Sequence, residues 1–189
     1  MNSNLLKYTT IAFLLLTFPL GCDRNSRRDA PPGAEEEALL APDKRMKMPD
    51  FILAVHNGKP VSSESFQGRV TLVVFFTPSC SACAQEMVML QNFLGEYPAD
   101  RFSVIGMAVV DRGSEGTLEK FVTKLGLGFP VLVSNDAVRK GFGGISTAPT
   151  AFLVDQNGYI ARKFLSHLEK SRLTDSVALL LQELRRPEL

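Results

Sequence analysis

The chain has 189 residues, 45% of them hydrophobic and 22% charged, which is enough for one well-buried core and short for two. Its formal net charge of +1 gives no reason to expect nucleic acid or a strongly acidic partner. Three cysteines, Cys22, Cys80 and Cys83, fall far below the density of a disulfide-stapled miniprotein.

Residues 1–21 read as a signal peptide. Lys7 and the amino terminus form a modest positive region, residues 11–20 a short apolar run, and Gly21-Cys22 closes it. The run is too short for a confident membrane span. A cysteine behind a small residue at this place resembles the lipobox of bacterial lipoproteins. That resemblance implies cleavage before Cys22 and lipidation of its thiol. Pro19 and Leu20 depart from the pattern, which has a leucine and a smaller residue there. A simple secretory signal and an uncleaved anchor are the alternatives. Asp23 resembles the signal that retains such lipoproteins at the inner membrane, which implies a location on its periplasmic side.

Residues 22–46 read as a flexible tether, with Arg27-Arg28, Pro31-Pro32-Gly33 and Glu35-Glu36-Glu37 and little apolar periodicity. The folded domain is expected over 47–189. Residues 51–55 and 61–66 are extended, joined through an Asn57-Gly58 turn. Residues 70–76 form an unbroken apolar run, as in a central strand buried on both faces. A helix follows Cys80, with Met87, Leu90 and Leu94 on one side. Residues 102–110 predict a second buried strand, and a helix starting near Gly116-Thr117 carries Leu118, Phe121, Val122 and Leu125 and ends at Gly126. Residues 131–133 are extended, and 136–140 form about one helical turn. Residues 150–154 and 160–164 form a hairpin, and a last helix carries Leu173, Val177, Leu180, Leu181 and Leu184. Strands alternate with helices and a hairpin closes the series, which predicts an α/β sandwich with a mixed sheet.

The chemistry lies in Cys80-Ser81-Ala82-Cys83, between the apolar strand and the helix. A helix N-terminus presents unpaired N–H groups and partial positive charge, which stabilise a thiolate. Cys80 is therefore the expected nucleophile. Cys83, one turn further, attacks a mixed disulfide at Cys80 and releases the partner. A zinc site needs four ligands, and no second Cys/His pair accompanies this one; His56 and His167 stand alone. No cofactor and no metal is expected. Outside the cytosol such a pair needs dedicated partners to keep it reduced or oxidised.

Residues 75–83 resemble the thioredoxin-like superfamily. Met48-Pro49-Asp50-Phe51 with Asn57-Gly58-Lys59, Phe129-Pro130-Val131-Leu132, Ala148-Pro149-Thr150 and Phe152-Leu153-Val154-Asp155 with Asn157-Gly158 narrow this to the redoxin (AhpC/TSA-related) branch, the tethered TlpA/ResA-type thiol–disulfide oxidoreductases. The resemblance spans about 48–184. It implies a thioredoxin-like sandwich with an N-terminal β extension. It also implies that Pro149 follows a cis peptide beside the two sulfurs, leaving the Ala148 backbone free to pair with an extended substrate. The implied partners are exported proteins with cysteine pairs, apocytochromes c among them, and a membrane or periplasmic thiol donor.

Several positions depart from that pattern. Ser79 stands where relatives carry Trp, and Val74 where thioredoxin carries a buried Asp. Glu86 matches a frequent glutamate, with two readings, a group that tunes the thiols and a solvated charge on the first turns of the helix, of which the solvated charge is preferred; Val88 replaces a proline. Thr77-Pro78-Ser79-Cys80 is also similar to MauD-like accessory proteins. A Cu(I) metallochaperone is the alternative from another class, since two thiolates suit Cu(I). A thiol peroxidase is favoured by Thr77, three residues before Cys80, but Val73 replaces the proline expected before it.

Overall fold

The structure, a computed structural model, describes residues 38–183 apart from 57, 112 and the side chain of 115. The leader, Cys22, the first part of the tether, the Asn57 half of the expected turn, and Leu184 lie outside the described residues.

Strands β1 (Met46–Lys47), β2 (Ile52–Leu53), β3 (Val61–Ser62) and β4 (Val70–Phe76) lead into helix α1 (Ser81–Leu94). Then come β5 (Phe102–Ala108), α2 (Glu115–Leu125), β6 (Val131–Val133), α3 (Asp136–Gly141), β7 (Thr150–Val154), β8 (Tyr159–Leu165) and α4 (Lys170–Glu183). One sheet has the order β1-β8-β7-β4-β5-β6, with β4, β5 and β6 parallel and β7, β8 and β1 antiparallel. β2 and β3 pair antiparallel as a separate ribbon. This is the expected thioredoxin-like sandwich with a mixed sheet and an N-terminal β extension. None of the described helices is long and apolar enough to cross a membrane.

The apolar run of β4 divides between two cores because successive side chains point to opposite faces. Leu72, Val74 and Phe76 join Cys83, Met87 and Leu90 of α1 and Leu173, Val177 and Leu180 of α4. Val73 and Phe75 join Val138 and Phe142 from α3 and its end, with Met48 and Phe51 from the N-terminal extension. The Phe142 ring meets Phe75 edge-on at 5.1 Å and tilts against Phe152 at 4.9 Å. Gly141 allows this side to close: a Cβ there would stand 2.6 Å from Pro49 Cγ. Gly126 ends α2 in the left-handed region at φ 61°, its N–H donating to the carbonyls of Thr123 and Val122, where a side chain would be strained.

The N-terminal boundary differs from expectation. The tether predicted to run to 46 is docked from Leu39 onward. Leu39 packs on the α1/α4 core, and Leu40 N–H donates to Ala161 O at 2.7 Å. Arg45 donates to both oxygens of Glu183, at 2.8 and 2.9 Å, to Asp155 Oδ2 at 3.0 Å and to Leu40 O at 3.0 Å. A guanidinium this well matched to two carboxylates turns a charged segment into part of the fold.

Candidate active site

β4 ends at Phe76, and a turn brings the chain to α1, with Cys80 N–H donating to Thr77 O at 3.1 Å. Cys80 is the N-cap of α1: its backbone is extended (φ −86°, ψ 112°) and its Sγ accepts from Cys83 N–H at 3.0 Å. A sulfur in this position takes the place of the oxygen that usually caps a helix. The same contact and the N-terminal end of a 14-residue helix favour negative charge on it.

Cys80 and Cys83 are joined in a disulfide, with Cα atoms 5.2 Å apart. Their surroundings differ. Cys80 is half-buried, whereas Cys83 has no exposed surface and sits in the core with Val74 and Met87. A partner approaching from solvent therefore meets Cys80 first.

The Ala148–Pro149 peptide is cis, and Ala148 O stands 3.8 Å from Cys80 Sγ. The fold thus joins residues 68 apart in sequence, as the resemblance implies. Pro149 is buried and Ala148 half-buried, and Thr150 Oγ1 donates to Thr147 O at 2.8 Å, securing the turn before β7. Ser79, in the position of the missing tryptophan, is exposed.

Glu86 overturns the sequence expectation. It is not a solvated charge: only 2% of its surface is exposed. Leu168 N–H donates to Oε2 at 3.1 Å, while buried Oε1 has no hydrogen-bond partner. Burial pushes its carboxyl up to about 7, partly offset by the Leu168 hydrogen bond and the charge of His167. A signal was present in the sequence. Cys83, Glu86 and Leu90 follow at spacings of three and four, so Glu86 lies on the apolar stripe of α1. Val74 brings no acid to β4, and Glu86 stands three residues after Cys83 on α1.

A cavity of about 380 Å³, lined by Phe66, Arg69, Tyr97, Phe102 and Phe129 among others, lies where β4 and β5 begin, at the other end of these strands from the disulfide. Among the described residues no three His, Cys, Asp or Glu side chains gather to hold a metal.

A family model described as Redoxin matches residues 43–179. The thiol-disulfide oxidoreductase ResA of Halalkalibacterium halodurans is 25% identical over 139 residues, covering 74% of this chain and 75% of that protein. ResA of Bacillus thuringiensis (strain Al Hakam) is 23% identical over 125 residues, covering 66% and 71% respectively. Among solved structures, a thiol:disulfide interchange protein of the thioredoxin family from Chlorobium tepidum TLS superposes with a TM-score of 0.67 at 24% identity. It covers 75% of this chain and 99% of that one.

Proposed function

The chain belongs to the Redoxin family, and on that premise we propose that it is a thiol–disulfide oxidoreductase exchanging with cysteine pairs of exported proteins. The observation that carries the reading is the asymmetry of the Cys80–Cys83 disulfide. One sulfur caps a helix at the surface, and the other is sealed in the core one turn later.

In the reducing direction, the Cys80 thiolate attacks one sulfur of a client disulfide. The client S–S bond breaks, a Cys80–client mixed disulfide forms, and the client's second sulfur leaves as a thiolate. The Cys83 thiol then gives its proton to the Glu86 carboxylate, and its sulfur attacks Cys80 Sγ. The mixed disulfide breaks, the Cys80–Cys83 bond forms, and the client's first sulfur leaves. The client has gained two electrons and the chain has lost two. The reverse sequence oxidises a client dithiol, and a membrane or periplasmic thiol donor resets the pair. Pro149 and the Ala148 backbone flank Cys80, where an extended client segment lies during exchange.

The names of the ResA relatives support thiol–disulfide chemistry. The leader ending in Gly21-Cys22 supports export and a lipid anchor at Cys22, on the periplasmic side of the inner membrane. Apocytochromes c are the client class that the resemblance to the TlpA/ResA branch brings with it.

The test is Cys83→Ser expressed in the native host. Without the resolving sulfur, exported proteins accumulate as mixed disulfides on Cys80, released by dithiothreitol and identified by mass. Their absence, with the variant folded and exported, overturns a protein substrate. Fractionation of Cys22→Ser tests the anchor: release from the membrane is expected, and retention rejects lipidation.

A further inference from the structure

The parallel strands begin at the pole of the sheet away from the disulfide, β4 after Arg69, β5 at Phe102 and β6 after Pro130. The cavity of about 380 Å³ lies at this pole. Four rings line it: Phe66 from the 3-10 turn Ser63–Phe66, Tyr97 from the turn after α1, Phe102 of β5, and Phe129 before β6. Phe66, Phe102 and Phe129 are buried. Tyr97 rests on Phe102 at 5.2 Å and on Phe93 at 5.0 Å, which holds its ring in place. The walls thus come from segments that the sheet itself brings together, and the cavity is preformed.

One charge faces this apolar space. Arg69 is half-buried and spans the mouth. Its Nη2 donates to Ser65 O on one wall, and its Nη1 donates to Ala99 O on another at 3.4 Å. The guanidinium carbon stands 5.4 Å from the centroid of the Phe66 ring. Both acceptors are neutral carbonyls, so the fold leaves the charge uncompensated. Among the described residues no Asp or Glu lines the cavity, and none pairs with Arg69. A guanidinium carries five donors, so N–H groups remain for a further acceptor. Ser103, another polar residue of the wall, is already committed: its Oγ is bonded to Thr71 Oγ1 at 2.8 Å.

We propose that this cavity is a ligand site for a small aromatic monocarboxylate, with the ring among Phe66, Tyr97, Phe102 and Phe129 and the carboxylate on Arg69 at the mouth. A planar ring makes offset and edge contacts with the rings of the wall. A carboxylate matches the fork of N–H groups that a guanidinium offers. A sugar would strand its hydroxyls against the rings. A cation would meet the charge of Arg69 with no carboxylate to offset it. The volume is at the small end of the range for ligand pockets, about 300–1,000 Å³, which limits the ligand to one ring system with a short acid chain. The site lies apart from the dithiol, and the inference does not depend on the exchange reaction proposed above.

The experiment is an amide-resolved ¹⁵N NMR titration of the oxidised full chain with indole-3-propionate. The chain carries Cys22→Ser so that no lipid accompanies it. Saturable shifts are expected at the amides of Ser65, Phe102 and Gly128 around the cavity, with those of Cys80 and Cys83 unmoved. The dissociation constant expected for a ligand of this size is on the order of 0.1–1 mM. Arg69→Met should weaken binding by about tenfold, the loss of a charged hydrogen-bonded pair. The neutral indole-3-propionamide should lose a similar factor on unaltered Arg69, which tests the charge even where Met disturbs the mouth. Decanoate, an anion without a ring, should bind at least about twofold more weakly. No saturable shifts at the cavity, or shifts centred elsewhere, overturn the site. An amide that binds as tightly as the acid, or an Arg69→Met chain that binds as tightly as its parent, overturns the pairing with Arg69. Decanoate binding as tightly as the indole acid overturns the aromatic ligand in favour of a fatty-acid anion.

Discussion

Arg45 and Asp155, 110 residues apart in sequence, meet in an ion pair of 3.0 Å with both side chains almost fully buried. Asp155 Oδ1 meanwhile accepts the N–H groups of Asn157 and Tyr159, each at 2.9 Å, which shapes the turn between β7 and β8. Glu183, the last described residue of α4, takes the rest of the Arg45 fork. One side chain thus fastens the N-terminal segment to the closing hairpin and the last helix.

Replacing Arg45 with Met keeps the apolar stem and removes the fork. Asp155 is then a buried charge without its cation. Removing one member of a buried pair costs about 3–5 kcal/mol, and the two N–H donors left to Asp155 put this case near 3. The urea midpoint of the oxidised chain is expected to fall by roughly 1.5 M. A fall below about 0.5 M would mean that the network behaves as a surface pair.

The elements built on local pattern were legible in the sequence. The run from Val70 to Phe76 is β4 to the residue, because a strand buried on both faces needs no polar alternation. The stripe of Met87 and Leu90 and the stop at Gly126 follow from helix periodicity and left-handed capping. Contacts between distant charges were not legible. Arg45 lies among charged and turn-forming residues, and only Asp155 and Glu183 distinguish it from a tether residue. Glu86 was misread because composition assigns a carboxylate to solvent, which outweighed its place on the apolar stripe of α1 between Cys83 and Leu90. Pro149 reached the site through the family resemblance, since no spacing rule joins it to Cys80.

Cys80 is expected to react before Cys83 once the disulfide is reduced. It caps α1 and is half-buried, and Cys83 has no exposed surface. Each unit by which a thiol's pKa is lowered toward ambient pH raises its thiolate fraction up to tenfold. Limited iodoacetamide at pH 7 followed by peptide mass analysis should therefore find Cys80 carrying the label in at least roughly tenfold excess. Equal labelling, or faster labelling of Cys83, would reverse the roles of nucleophile and resolving thiol.

Glu86 should also make stability depend on pH. Its folded carboxyl is raised from 4.5 to about 7, chiefly by burial. Below pH 4.5 both states hold the proton and the group is neutral to stability. Between the two values the native state binds more protons than the unfolded state, so stability falls as pH rises. Above 7 the loss is complete, and its size is set by the gap between the two values, about 3 kcal/mol. Gln at this position keeps an acceptor for Leu168 N–H and cannot ionise. Its amide N–H₂ inherits the unpaired place of Oε1, a cost that does not vary with pH. Urea unfolding of the oxidised wild type and Glu86→Gln at pH 5 and pH 8 separates the two effects. The difference between the chains should move in favour of Gln by up to about 3 kcal/mol across that interval. Parallel behaviour at both pH values would mean that the carboxyl ionises as readily inside the fold as outside it, and Glu86 would then hold no proton near neutral pH for the dithiol to exchange.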